Sequence, residues 1–238
     1  MKKAIVVGAT SGMGKEVAKI LVENNYKVAI LGRRTELLEE LKSQNPASYI
    51  VETFDIQEID TIEEKLNKLA NQLGGLDLIL ISAGTGKESE KVDFEIEKNT
   101  ILTNALGFTC TVDWSMNFFE NQKFGHLVII SSIAGMKGNR FAPSYSATKA
   151  FQMNYMEGMR HRISHLKLPI LVTDVRPGFV DTSMARNGKK FWIVPLEKAG
   201  KQIYKAITKK RKVVYISSKW ILVAGLIKIL PRWIRYKI

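Results

Sequence analysis

The chain has one cysteine, three histidines and no apolar run long enough to span a membrane, and each scarcity removes a class of protein. A lone Cys110 cannot close an internal disulfide, so the fold is no cross-linked secreted scaffold and fits a reducing cytoplasm. Its plainest role is that of a small buried hydrophobe. His126, His161 and His165 lack a cysteine or glutamate at ligand spacing, so no metal site is expected, although His161 and His165 lie four apart. The opening Met1-Lys2-Lys3-Ala4-Ile5-Val6-Val7 breaks at Gly8, too early for an export signal, and reads as a first buried strand. Acidic residues disappear after Glu197. Residues 198–238 hold twelve Lys or Arg and no Asp or Glu, against a net charge of +13 for all 238 residues, so the body of the protein is close to neutral. The remaining composition, 45% hydrophobic and 25% charged, is that of an ordered globular domain.

Short apolar runs alternate with helical patterns along the chain. Ile5-Val6-Val7 leads into Gly8-Ala9-Thr10-Ser11-Gly12-Met13-Gly14, after which Val17, Ala18 and Leu21 recur at helical spacing. In such a strand, turn and helix, Gly8 permits the tight turn, Gly12 lets a phosphate approach the backbone, and Gly14 lets helix and strand pack closely. The helix start offers N–H groups and a positive dipole end to a pyrophosphate, which makes Gly8, Thr10, Ser11, Gly12, Met13 and Gly14 candidate dinucleotide contacts. A turn with no ligand is the plainer alternative. The second strand, residues 27–31, ends in Gly32-Arg33-Arg34, where an acidic residue would bind the ribose hydroxyls of NAD. Arg33 and Arg34 suit a phosphate by charge and forked geometry, which implies NADP(H) in preference to NAD(H); a solvated arginine pair is the alternative.

Residues 49–54 form a third strand ending at Asp55-Ile56, where a carboxylate and the next backbone group can meet an adenine ring or cap the following helix. That helix covers 59–73 and stops at Gly74-Gly75. Residues 76–81 read as a buried strand opening into Ser82-Ala83-Gly84, and 98–119 as one long helix with Asn104 inside it. An interior amide competes poorly with the backbone unless it has a task. Residues 170–175 give another strand, ending at Pro177-Gly178, and the loop through about Lys190 is long enough to act as a lid. Strands apolar throughout and alternating with helices point to an α/β doubly wound parallel sheet, a Rossmann fold, in a single domain of residues 1–216 with an extension at 217–238. Ligands of such sheets sit beyond the carboxyl ends of the strands, where Ala83, Gly84, Pro177 and Gly178 fall.

The strand at 127–130 delivers Ser131 and Ser132, and a helix follows from about Tyr145 to Leu166. Tyr145 and Lys149 are one turn apart on one helix face. A lysine ammonium there is expected to favour the phenolate and lower the phenol's pKa below the usual ~10. A serine at the preceding strand end can hold a substrate oxygen against the phenol, and the residues by themselves do not separate Ser131 from Ser132. An ordinary amphipathic surface would show the same Tyr–Lys spacing.

Taken together these residues resemble the short-chain dehydrogenase/reductase family over roughly residues 3 to 216. The resemblance implies hydride transfer with a nicotinamide cofactor and a carbonyl or alcohol substrate. Tyr145 would be the general acid in reduction, Lys149 its activator and ribose ligand, Ser132 the holder of the carbonyl oxygen, and Asn104 the anchor of a relay water behind Lys149. It further implies that Val180 and Thr182 meet the nicotinamide carboxamide, and that the helices of Asn104 and Tyr145 pair in a homo-oligomer, dimer or tetramer. Two positions depart from the family pattern: Val7 stands for threonine and Ser82 for asparagine, each a structural hydrogen bond worth about 1 kcal/mol if unreplaced.

A non-catalytic regulatory protein on this fold would be expected to lack Tyr145 or Lys149, and both are present. Specific nucleic-acid binding is not expected, because the basic tail carries apolar bulk rather than aromatics interleaved with charge. From Lys209 the tail sets Lys209-Lys210-Arg211-Lys212 ahead of a short strand at 213–216, then runs apolar from Trp220 to Ile227. A spanning helix needs roughly 20 residues. Residues 209–238 therefore read as an interfacial element on an anionic membrane surface, held by apolar burial plus about 1 kcal/mol per basic residue. The alternatives are that the tail closes the substrate pocket or packs on a neighbouring subunit.

Overall fold

The computed structural model describes residues 1–182, 192–229, 231 and 233, and the segment read as a lid lies mostly outside them. Seven parallel strands form one sheet: β1 (Lys2–Val7), β2 (Tyr26–Gly32), β3 (Tyr49–Thr53), β4 (Leu78–Ile81), β5 (Gly125–Ile130), β6 (Ile170–Pro177) and β7 (Val213–Ile216), in the order β3-β2-β1-β4-β5-β6-β7. The chain grows outward from β1 to β3, then crosses to the other side of β1 with β4. That reversal opens a crevice between the carboxyl ends of β1 and β4, where Val7 pairs with Ile81.

Both sheet faces are covered, which is why the strands read as unbroken apolar runs. Side-chain alternation sends Ile5 and Val7 into one core with Ile62, Leu66, Phe108, Val112 and Met156. Ala4 and Val6 enter the other, with Val17, Leu21, Leu38, Leu41 and Ile203. The helices supplying these residues are α1 (Gly12–Glu23), α2 (Thr35–Ser43), α3 (Ile59–Leu73), α4 (Phe94–Ile101), α5 (Phe108–Gln122), α6 (Pro143–Leu166) and α7 (Leu196–Thr208), followed by α8 (Lys219–Ile229). Gly74 takes the left-handed conformation that ends α3, φ +72°.

Three features differ from the sequence reading. The long helix is interrupted by a π-helical segment, Leu102–Gly107, between α4 and α5. Gly107 lies flush on the backbone of Ile56, where a Cβ would come within 2.0 Å of the Ile56 carbonyl oxygen. α7, to which the sequence reading assigns no element, packs its Ala199, Ile203 and Ile207 face into the second core and against α1. The tail is divided rather than continuous: Lys209, Lys210, Arg211 and Lys212 line a depression at the N-terminal end of β7, and α8 follows its C-terminal end. About four strand residues, on the order of 13 Å, separate the two.

Candidate active site

The glycine-rich turn is built for close backbone approach. Gly8 has φ +91°, and a Cβ there would stand 2.5 Å from the Ala83 nitrogen; one at Gly14 would stand 2.2 Å from the Gly8 carbonyl oxygen. Main-chain bonds join the two positions that depart from the family pattern: Ser82 N and Ala83 N both donate to the Val7 carbonyl, at 2.8 and 3.0 Å. Ser11 is the N-cap of α1 yet makes no side-chain capping bond, so the first N–H groups of that 12-residue helix face the crevice without a side-chain acceptor. Gly12, with φ +58°, has Thr182 Cγ2 as its nearest neighbour across the crevice, 3.6 Å from where a Cβ would be. These features fit a dinucleotide pyrophosphate.

The two arginines divide their tasks. Arg34 Nη2 donates to Thr10 Oγ1 at 2.8 Å and Ser11 Oγ at 3.0 Å, which ties the end of β2 to the phosphate turn. Arg33 is exposed, its Nη1 3.9 Å from Asp55 Oδ2. Asp55 Oδ1 accepts from Gln57 N at 3.0 Å, so the carboxylate shapes the turn ahead of α3 while facing Arg33. Ile56 is buried in the first core beneath the π segment. The remaining candidates on this rim, Met13 and Gly84, lie at the start of α1 and just after β4.

On the other side of the crevice, the N-terminal turn of α6 carries Tyr145. Ala142 caps that helix without a side-chain bond, and Glu97 of α4 accepts from Ser144 N at 2.9 Å in its place. The end of β5 supplies two serines with different partners. Ser131 donates to buried Asp174, which also holds Arg176 Nε at 2.6 Å. Ser132 hydrogen-bonds Tyr145 and accepts from Ala134 N at 3.1 Å. The geometry thus separates two residues that their position in the sequence does not.

Asn104 is fully buried and clamps the loop after β4: its Oδ1 accepts from Thr85 N at 2.8 Å and its Nδ2 donates to the Thr85 carbonyl at 2.7 Å. The clamped loop lies on the catalytic candidate, for a Cβ on Gly86 would fall 2.3 Å from Tyr145 Cδ2. Lys149 Nζ donates to the Ile130 carbonyl and to Gln152 Oε1, both at 2.9 Å, and Gln152 Nε2 donates to the Asn104 carbonyl at 2.8 Å. Gln152, 1% exposed, therefore bridges Lys149 to Asn104 directly, a link the family resemblance assigns to water. Neither Gln152 nor Glu97 stands out in the sequence; both become visible only when helix neighbours are known.

One electrostatic expectation is overturned. Burial raises the Tyr145 pKa above its usual value, and the Ser132 hydrogen bond only partly offsets this. Lys149 does not acidify the phenol in this arrangement, because its ammonium is drawn to Ile130 and Gln152 and stands 5.8 Å from the Tyr145 ring centroid. Burial also lowers Lys149 itself to about 8, with Asp174 opposing the shift. The ammonium has three N–H groups and spends two, leaving one for a ligand among the described residues.

The Pro177-Gly178 turn at the end of β6 borders the same crevice. A Cβ on Gly178 would fall 2.0 Å from Trp220 Nε1, so the indole of α8 lies flat on this turn. Val180 is buried beside Val194, to which it is bridged, so its side chain belongs to the second core.

Comparison with known proteins agrees with this geometry. The family model described as short chain dehydrogenase matches residues 2–191. An uncharacterised oxidoreductase of Staphylococcus aureus (strain MW2) is 32% identical over 186 residues, covering 77% of this chain and 80% of its own. One from Mycobacterium tuberculosis (strain H37Rv) is 29% identical over 191 residues, 77% of this chain and 75% of its own. Among solved structures, ElxO with NADP bound superposes with a TM-score of 0.81 at 21% identity, covering 92% of this chain and 98% of that one. The closed form of serine dehydrogenase complexed with NADP+ gives 0.80 at 24% identity, over 90% and 93%. These two likenesses concern the fold. The family match, together with the glycine turn, the buried Asn104 and the Ser132–Tyr145–Lys149 cluster, places the chain in the short-chain dehydrogenase family of oxidoreductases.

Proposed function

We propose that this protein reduces a ketone or aldehyde to an alcohol with NADPH, Tyr145 giving the proton. The observation that carries the reading is the group of buried Ser132 and buried Lys149 with Tyr145, Lys149 Nζ lying 5.8 Å from the Tyr145 ring centroid, on the rim that also holds the open start of α1. Gly8, Thr10, Ser11, Gly12, Met13 and Gly14 would hold the pyrophosphate, Arg33 and Arg34 an adenosine-ribose phosphate, and Asp55 with the backbone of Ile56 the adenine. Ala83, Gly84, Pro177, Gly178, Val180 and Thr182 would border the nicotinamide. A dinucleotide held there would supply a hydride for the carbonyl carbon.

The chain's own residues do the rest. Ser132 orients the carbonyl oxygen toward Tyr145. The raised pKa keeps the phenol protonated at neutral pH, so it begins as a donor, and an alkoxide forming at hydrogen-bond distance is basic enough to take its proton. Lys149, at about 8, lies close enough to neutrality to return a proton toward Tyr145 after turnover. Gln152 holds the lysine in place from behind, and Asn104 fixes both the lysine's support and the loop over the phenol.

Exposed Ile101, Leu106 and Phe151 on the helical elements carrying Asn104 and Tyr145 support pairing of two copies across those faces. The test of the reaction is NADPH oxidation against a panel of ketones and aldehydes, with the alcohol identified. Turnover with several carbonyl compounds supports the reading; NADPH binding without oxidation of any would favour a non-catalytic NADP-binding regulator.

A further inference from the structure

The C-terminal helix presents an apolar face to solvent that the reaction does not use. Among the described side chains of α8, Trp220 and Ala224, one turn apart, are the buried ones, and the helix sits against the Gly178 turn and the short turn Ile133–Met136 beside Ser132. The outer face shows Ile221 at 52% exposure, Leu222 at 78%, Leu226 at 52% and Ile229 at 78%. Trp233, beyond the helix, is 65% exposed. No described helix is long and apolar enough to cross a membrane, and α8 at 11 residues spans about 16 Å.

Charge selects the occupant. Residues 219–238 contain Lys219, Lys228, Arg232, Arg235 and Lys237 and no acidic residue. An anionic lipid surface neutralises charge of that sign and accepts the leucine and isoleucine side chains between its headgroups. We propose that the outer face of α8 docks on an anionic lipid bilayer without crossing it. The basic cluster at Lys209–Lys212 is not part of this surface, because it lies at the far end of β7. Since Trp220 anchors α8 on the turn that borders the crevice, docking brings the substrate mouth alongside the lipid, which favours a lipophilic carbonyl substrate.

The test is sedimentation of the full chain with vesicles of phosphatidylcholine alone and of phosphatidylcholine mixed with phosphatidylglycerol. The expected result is co-sedimentation with the anionic vesicles only, weakened by salt. A chain carrying Leu222→Asp, Leu226→Asp and Ile229→Asp should lose about tenfold or more of that binding while NADPH affinity stays unchanged. Because those side chains are exposed, melting of the variant serves as a check that it folds. The proposal is overturned if the full chain stays in solution with both vesicle types, if the triple variant binds as well as the parent, or if the face instead holds a concentration-dependent dimer that the triple variant dissolves. None of these outcomes depends on catalysis, so they leave the reductase reading standing or falling by its own test.

Discussion

Lys149 Nζ lies 2.9 Å from Gln152 Oε1, one helical turn further along α6, and the amide's other end reaches the Asn104 carbonyl at 2.8 Å. The lysine expected to serve the phenol is thereby held by a neutral carboxamide, while burial lowers its pKa and Asp174 opposes the shift.

Changing the contact should move the pH profile in opposite directions. Reduction needs Lys149 protonated, so activity falls as pH rises through its pKa, about 8. Gln152→Glu places a carboxylate beside the ammonium, raises that pKa, and shifts the alkaline limb of kcat to higher pH. Gln152→Leu removes one acceptor of the ammonium and leaves Asp174 and the Ile130 carbonyl as its remaining support against burial, so the limb moves to lower pH. A purely structural role for Gln152 would lower activity in both variants without moving the limb.

Arg33 and Arg34 should fail differently. Arg33→Ala removes an exposed guanidinium facing Asp55, and should raise KM for NADPH by about tenfold to a hundredfold while sparing NADH, from the loss of ~1.5–3 kcal/mol of charge-assisted bonding. Arg34→Ala also frees Thr10 and Ser11, so it should weaken both cofactors. Equal NADPH and NADH kinetics in the parent chain would contradict this assignment.

Gly86→Ala tests the loop that Asn104 clamps. With a Cβ 2.3 Å from the Tyr145 ring, the phenol has to shift, and a displacement of about 1 Å costs on the order of a hundredfold in kcat/KM. The loop is partly exposed, so thermal unfolding should hardly change.

Acid stability should follow His126. Its Nε2 lies 2.8 Å from Thr173 Oγ1, whose own proton goes to the Arg211 carbonyl, so the ring is the donor and stays neutral. Burial lowers its pKa to about 4, whereas the unfolded chain titrates near 6.5. Between those values the unfolded state binds the extra proton, so stability is lost as pH falls from 6.5 toward 4, by up to about 3 kcal/mol. Urea unfolding of His126→Gln across that window should show a shallower dependence.

Much of the fold was legible because the central strands are apolar on both faces and β1, β4 and β5 run into a glycine or serine that marks the crevice rim. The glycine turn at 8–14, the helix at 59–73 and the strand at 213–216 needed only local chemistry. The π segment did not show, because helical periodicity runs through it unbroken and its close contact, Gly107 on the Ile56 backbone, is distant in the chain. The lysine's real partner was hidden for a related reason: Gln152 looks like any polar helix residue until the π segment and α6 are set side by side. The phenol's raised pKa was likewise unreadable, since spacing gives proximity to a charge but not the burial that outweighs it. Gly178 reads as a turn residue, yet its close neighbour is Trp220, 42 positions away in the chain.

The most direct test is Tyr145→Phe, which keeps the ring against Gly86 and removes only the hydroxyl. The account predicts NADPH binding close to the parent's and carbonyl reduction lower by about a hundredfold or more. Full turnover in that variant would contradict it.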